Sequence, residues 1–272
     1  MVYANPIDEG WASGLFYDRL ALPFYLSPDK VQSDYSPVRF ERELRLFRRF
    51  CKRGNVLDVG CSTGAFLFQL KSRFGADYDV TGIDVAGPAL DHAEHKGIRV
   101  QRESFLRAEF RDQHFSAITF WAVIEHLASP GEFLKKAASL LQPSGLCFIL
   151  VPNLRSLAVR LLGSKYRYIF PQHVNYFTPS TLKHFTGNAA DLRVIYAGST
   201  HFNPLVIWQD WKGKGQFVPD EARAGLLKRT TAYKQNPALK PIKLGLAGVE
   251  AALGRLNLAD NLAVVLQKIA QG

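Results

Sequence analysis

The run Val56-Leu57-Asp58-Val59-Gly60-Cys61-Ser62-Thr63-Gly64 leads an apolar stretch into a turn of small residues, and a helical pattern follows at once. Glycine at positions 60 and 64 lets backbone approach a ligand closely, and the first helical turn offers N–H groups to a carboxylate or phosphate. A glycine-rich turn by itself is also a plain strand-to-helix connection. The next apolar run adds weight: Gly82-Ile83-Asp84 ends it with an acid about 20 positions after the turn, the spacing at which a carboxylate takes the two hydroxyls of a ribose. An adenosine-containing ligand is implied, which leaves NAD, FAD or S-adenosylmethionine (SAM). The turn reads G-C-S-T-G and not G-x-G-x-x-G, so the tight cradle for a pyrophosphate is not written here, and SAM has no phosphate to place in one.

These residues need a rigid frame, and the chain alternates short β-rich runs with helical ones, as a parallel sheet with crossover helices requires. Strands are expected at Val56–Gly60, Asp79–Asp84, Ile98–Gln101, Phe115–Val123, Leu146–Val151 and Leu192–Gly198. Helices are expected at Gly64–Phe74, Pro88–His95, from the Ser129-Pro130-Gly131-Glu132 capping box to Leu141, at Leu154–Leu162, and from Thr178-Pro179. Ser36 and Pro37 read as the cap and first position of an earlier helix, with Phe40, Leu44, Phe47 and Cys51 on one face and Arg42, Arg45, Arg49 and Lys52 on others. A seventh strand does not follow the sixth at once, and its best candidate is Leu262–Ile269. The organisation expected is an N-terminal helical cap over residues 1–54 and a catalytic domain over 55–272. That domain would carry a largely helical insertion at about 200–260, where Ile242, Leu246, Val249, Leu253 and Leu256 follow helical spacing.

The turn at 58–64 resembles the first motif of class I SAM-dependent methyltransferases. The run Phe115-Ser116-Ala117-Ile118, then Glu125-His126-Leu127, Phe133-Leu134 and Leu141-Gln142-Pro143-Ser144-Gly145, is similar to that family's F-D-x-V, E-H-L, F-L and L-L-K-P-G-G succession. Val151-Pro152-Asn153, followed by Tyr166, Pro171, His173 and Phe177 ahead of Pro179, resembles the ubiquinone-biosynthesis O-methyltransferases and related bacterial proteins. The match spans roughly residues 55–199. It implies a three-layer α/β/α Rossmann-like fold whose seven-stranded, mostly parallel sheet has an antiparallel last strand. It also implies that SAM rests on Asp58, Gly60, Cys61, Ser62 and Gly64, its ribose on Asp84 beside Val85, its adenine near Glu103, Ser104 and Phe105, and its methionine end along Trp121. Ser62 stands where many members have glycine, which costs little provided its φ stays below zero. Glu103 replaces the commoner aspartate.

Methyl transfer from a sulfonium is an in-line displacement, so positioning and exclusion of water dominate, and a base is needed only when the nucleophile carries a proton. His126, beside Glu125, and His173, inside the aromatic segment 165–177, are the candidate bases for a hydroxyl acceptor. Each also has a structural reading, as a histidine that closes a loop or caps a helix. Leu154, Leu157, Leu161, Tyr166, Tyr168, Ile169 and Phe170, with Phe16, Tyr17, Phe24 and Tyr25, have the composition of an apolar lid over the acceptor, although aromatic-rich stretches more often serve as core or domain-packing surface. Arg155, Arg160, Lys165 and Arg167 beside it would suit an amphipathic acceptor or peripheral contact with a membrane surface. No cluster with metal-ligand spacing is written in the sequence, and no metal is expected.

Composition narrows the alternatives. With 272 residues and 47% hydrophobic content the chain has enough material for a large core. The excess of 34 Lys+Arg over 24 Asp+Glu, a net +10, suits an anionic partner, and an RNA methyltransferase is the rival reading. That rival lacks its chemistry. The position after the fourth strand reads Trp121-Ala122-Val123-Ile124 where amino-methyltransferases carry N/D-P-P-Y/F, and no Pro-Cys nucleophile pair exists. A SAM-binding protein without catalysis is a second rival, and an NAD-dependent oxidoreductase a third. The three cysteines are widely spaced, no stretch approaches the roughly 20 apolar residues of a membrane span, and a cytoplasmic location is expected.

Overall fold

Residues 2–3, 22–110, 114–169, 172–188, 191–213 and 220–269 are described by the structure, a computed structural model. In chain order the strands are β1 (Val2–Tyr3), β2 (Gly54–Val59), β3 (Tyr78–Asp84), β4 (Arg99–Arg102), β5 (Phe115–Trp121), β6 (Leu141–Pro152), β7 (Asn175–Tyr176), β8 (Leu192–Thr200) and β9 (Asn261–Lys268). The helices are α1 (Leu22–Tyr25), α2 (Pro28–Asp34), α3 (Glu41–Phe50), α4 (Ala65–Phe74), α5 (Gly87–His95), α6 (Pro130–Leu140), α7 (Leu157–Leu162), α8 (Pro179–Gly187), α9 (Pro204–Lys212), α10 (Asp220–Gln235) and α11 (Lys240–Arg255). The main sheet has seven strands in the order β4-β3-β2-β5-β6-β9-β8. Every pair in it from β4 to β6 is parallel, and β9 runs antiparallel to both β6 and β8, as the resemblance implied.

The central strands are apolar on both sides because both faces are covered. On one face Leu44 and Phe47 of α3, with Phe66, Leu67 and Leu70 of α4, pack on Val56, Val80 and Phe148. On the other, Leu134 and Ala137 of α6 and Leu182 of α8 pack on Leu57, Ile118, Ile149 and Val264. Strand order reverses between β2 and β5, so the carboxyl ends of these two strands open a crevice where ligands bind in sheets of this kind.

Some starts differ from the sequence reading: α7 begins at Leu157, capped by Ser156, and not at Leu154, and β6 opens at Leu141 and not at Leu146. The helix expected from Ser36 begins at Glu41, because the Gln69 side chain donates to the carbonyls of both Tyr35 and Ser36 and holds that stretch as turns. At α6 no Ser129 side-chain cap forms, although Pro130 opens the helix as expected. Thr178 does close a capping box with Thr181 at the start of α8. Around the crevice, α1 and α2 pack against α10, while β1 pairs antiparallel with β7, so segments distant in sequence meet above the sheet.

Candidate active site

The turn after β2 is shaped by two glycines at φ +73°. A Cβ at Gly60 would come within 2.6 Å of Val123 Cγ2, and one at Gly64 within 2.9 Å of the Ala93 Cβ, so side chains are excluded by space as well as by backbone conformation. Backbone N–H groups of Gly60 and Cys61 both donate to the Ile83 carbonyl, which ties the turn to the end of β3. Asp84 completes the tie: its carboxylate accepts from Ser62 N at 2.7 Å, from Val85 N at 2.7 Å and from Ala86 N at 3.1 Å. Burial raises the Asp84 pKa, while those amides pull the other way. Ser62 sits at φ +48°, so the proviso attached to its replacement of glycine is not met. The turn needs a left-handed residue there to aim the Ser62 amide at Asp84, and serine carries the strain.

The remaining residues expected around the cofactor divide by depth. Asp58 lies below the turn, buried, and accepts from Thr119 Oγ1 at 2.6 Å; burial pushes its pKa up to about 7. Cys61 is buried too, with its sulfur filling the space a side chain at Gly82 would need. The Phe105 ring packs on Phe110, Phe120 and Phe133 in the core, while Glu103 is exposed, Ser104 half-buried and Val85 exposed at the rim. Trp121 packs on Phe66 and Phe148, and its indole Nε1 is buried without a hydrogen-bond partner among the described residues. A cradle that any Cβ would fill, an acid fixed at its rim and an orphaned indole N–H fit an adenosyl and amino-acid ligand.

Across the crevice, Glu125, His126 and His173 converge, although α6, β6 and α7 separate the last from the other two in sequence. Asn175 makes the meeting possible by donating to the carbonyls of Leu127 at 2.7 Å and Ile124 at 3.4 Å, which clamps the single turn Ile124–His126 against β7. The imidazoles stand edge to face, with centroids 4.7 Å apart. Each Nδ1 lies 2.9 Å from a carbonyl, Gln172 O for His126 and Tyr168 O for His173. A carbonyl only accepts, so each Nδ1 carries the proton and Nε2 the lone pair. Burial lowers the His126 pKa to about 4 and the His173 pKa to about 3, so both rings are neutral near pH 7. Burial has the reverse effect on Glu125, raising it to about 8. Neither Glu125 oxygen has a hydrogen-bond partner among the described residues; Oε1 is 4.0 Å from His126 Nε2. One ligand atom from each of these three side chains lies within 4.8 Å of the others, a grouping able to hold a cation, which the sequence reading did not foresee.

Two further residues near the site, Tyr35 and Arg223, escaped the sequence reading. Tyr35 donates its hydroxyl to the Thr63 carbonyl and so braces the glycine turn from α2's end. Tyr25 of α1, one of the aromatics foreseen for the lid, is half-buried with its phenol under the influence of Asp84 and Glu125, and desolvation raises its pKa. Arg223 of α10 lies 4.5 Å over the Phe24 ring, and its charge reaches both His126 and His173. A side-chain role of this kind leaves no periodic or motif signal, because it depends on which helices meet above the sheet. The expected lid divides in the structure. Tyr166 is wholly buried, Leu161 points outward, Arg167 is spent on Asp210, and Phe16, Tyr17 and Phe170 lie outside the described residues.

A glycine cradle at the reversal point of a Rossmann-like sheet, with an acid tied to it from the end of the next strand, is the arrangement that binds an adenosyl group in folds of this kind. Comparison with known proteins agrees. A family profile described as methyltransferase domain matches residues 35–197, and the chain belongs to that family. It is 30% identical over 194 residues to the ubiquinone biosynthesis O-methyltransferase of Aeromonas salmonicida, covering 64% of this chain and 80% of that one. Among solved structures, the cyclase SpnF superposes with a TM-score of 0.61 at 14% identity, covering 98% of this chain and 99% of its own. A plantazolicin methyltransferase in complex with SAH gives 0.53 at 16% identity, covering 96% and 98%. Those two likenesses speak for the fold. The protein is a SAM-dependent methyltransferase. Among the described residues no helix is long and apolar enough to cross a membrane.

Proposed function

We propose that this enzyme transfers the SAM methyl group to a hydroxyl or phenol of a small, amphipathic acceptor. The observation that carries the reading is the pair of neutral imidazoles, each with Nδ1–H fixed on a carbonyl, beside the turn after β5 whose Val123 packs on Gly60 of the cradle. In this reading SAM supplies the electrophilic methyl group. Gly60, Cys61, Ser62 and Gly64 hold it, with Asp58 bracing them from below; Asp84 takes the ribose, Val85, Glu103, Ser104 and Phe105 border the adenine, and Trp121 borders the methionine end. His173 or His126, with the lone pair on Nε2, would take the acceptor proton while the acceptor oxygen displaces the methyl group from the sulfonium, whose carbon–sulfur bond breaks to leave a neutral thioether. The N-terminal helices α1 and α2, with α10 from between β8 and β9, wall the acceptor side and exclude water.

Support for an oxygen acceptor comes from the named activity of the relative, an O-methyltransferase of ubiquinone biosynthesis. A nucleic-acid acceptor is less well supported, since the arginine-rich helix α3 spends Arg42 on Glu250 and Arg48 on Asp77. The deciding experiment is turnover of SAM with a panel of alkyl-substituted phenols and catechols beside short RNAs. Methylation confined to RNA would overturn the proposal, and so would methylation confined to alkyl-substituted benzoates added to the panel.

The unpartnered Glu125 carboxylate favours a second reading of the same corner, in which Glu125, His126 and His173 hold a divalent cation. Two histidines and one carboxylate are a common ligand set, and carbonyls on the outer imidazole nitrogens are the usual support for it. A cation there would polarise an acceptor hydroxyl. Chelator treatment followed by readdition of magnesium, manganese or zinc separates the two: turnover indifferent to the chelator leaves the imidazole reading standing alone.

A further inference from the structure

Helix α9 follows β8, outside the segment that matches the methyltransferase family. Its sequence, Pro204-Leu205-Val206-Ile207-Trp208-Gln209-Asp210-Trp211-Lys212, turns two different faces to its surroundings. The inward face is fixed: Asn203 caps the helix through its side chain, and buried Asp210 takes both the backbone N–H and the guanidinium of Arg167, with Gln209 accepting a further bond from that guanidinium. The outward face carries Leu205, Trp208 and Trp211 at intervals of three residues, 48%, 54% and 65% exposed. Neighbouring α7 packs on α9 and adds Leu161, 65% exposed. Two outward tryptophans and two outward leucines on a helix held this firmly are not side chains waiting to fold inward.

Charge identifies the partner. Arg155, Arg160 and Lys165, in and beside α7, and Lys212 at the end of α9 are exposed, and the Lys212 ammonium lies 4.2 Å over the Trp208 ring. Within 154–169 and 203–213 the single acid is Asp210, which is buried and already paired with Arg167. Tryptophan and leucine ringed by uncompensated cations match the boundary between headgroups and acyl chains of an anionic bilayer. We infer that the α7–α9 face docks this enzyme onto anionic lipid surfaces, with Trp208 and Trp211 seated at headgroup depth. Such docking rests on the amphipathic-acceptor reading for its purpose, since a lipid-soluble acceptor has to be met at a bilayer; the geometry of the patch stands without it.

The test is co-sedimentation of the full chain with vesicles of phosphatidylcholine, alone or with phosphatidylglycerol, at low and high salt. Binding is expected to the anionic vesicles at low salt and to fall steeply as salt rises. Trp208→Ala with Trp211→Ala should weaken it roughly tenfold or more, and Lys165→Ala or Lys212→Ala about fivefold each. Calorimetric SAM binding should be the same in all variants, since none of these residues lies in the crevice, so failure of docking and failure of the methyltransfer reading show up separately. Brominated lipid should quench the wild-type tryptophan emission. The inference is overturned by absence of vesicle binding, or by binding and quenching that the tryptophan double variant leaves unchanged. A lipid-free dimer that the same double variant dissolves would also overturn it, since a second copy of the chain would then be the occupant.

Discussion

The proposed cofactor side and the proposed acceptor side of the crevice are built in opposite ways. On the cofactor side nearly everything is backbone: two left-handed glycines, a serine forced into the same conformation, and one carboxylate gripped by three amides. The parts lie within one β-α-β unit and are held by strand pairing. The acceptor side is made of side chains brought from α1, the turn after β5, β7 and α10, and several of them are buried polar groups whose charge states depend on the burial itself. One side tolerates little change of shape; the other tolerates little change of chemistry.

The sharpest way to break that contrast is to remove the imidazoles. His173→Ala or His126→Ala should lower turnover of a hydroxyl acceptor by about 10² to 10⁴ while SAM affinity by calorimetry stays the same. Wild-type turnover in both variants would return these rings to a structural role. Next in size are the cofactor-side changes. Asp84→Ala should raise the SAM Kd by roughly 10- to 100-fold, because charge-assisted bonds to ribose are lost and the Ser62 amide loses its anchor. Gly60→Ala should do as much through sterics, given the 2.6 Å approach to Val123. If instead kcat falls and Kd holds, the division of labour between the two sides is wrong.

A pH series sharpens the comparison further. In chelator-treated protein the folded chain keeps Glu125 protonated up to about 8, whereas unfolded it ionises at about 4.5. Its contribution to stability is therefore complete below about 4.5 and lost as pH rises through about 8. His126 and His173, lowered to about 4 and about 3 from 6.5, act the other way: their contribution is present above 6.5 and lost as pH falls toward 4. Thermal melts should peak in the mildly acidic range and decline on both sides. Glu125→Gln should lessen the alkaline decline near pH 8, leaving the part that Asp58 and Asp260 contribute near 7, and leave the acid one. A melting curve with the same alkaline limb in that variant would contradict the assignment of Glu125 as the buried acid. The smallest effect belongs to Ser62→Gly, which relieves a φ of +48° and should raise Tm by about 2 °C, corresponding to about 0.5–1 kcal/mol, with SAM affinity preserved.

Strand and helix positions were legible where apolar periodicity is strong. The strand foreseen at Asp79–Asp84 is β3, Tyr78–Asp84, and the antiparallel last strand foreseen at Leu262–Ile269 is β9, Asn261–Lys268. Misreadings fell where a distant side chain intervenes, as at Ser36, whose carbonyl Gln69 captures. The φ of Ser62 could not be read from residue type, because the Asp84 carboxylate sets it from the next strand.

What the amino-acid order determined by itself is the cofactor side: the glycines, the turn and the acid closing the second strand of the unit are a local device, readable because their spacing is the geometry. Tertiary structure alone decided the acceptor side. Only the packing of β7 against the turn after β5 sets His173 beside Glu125 and His126, and only their burial in the assembled fold moves their pKa values away from ordinary levels. Burial is a property of the assembled layers, and no run of residues carries it in advance.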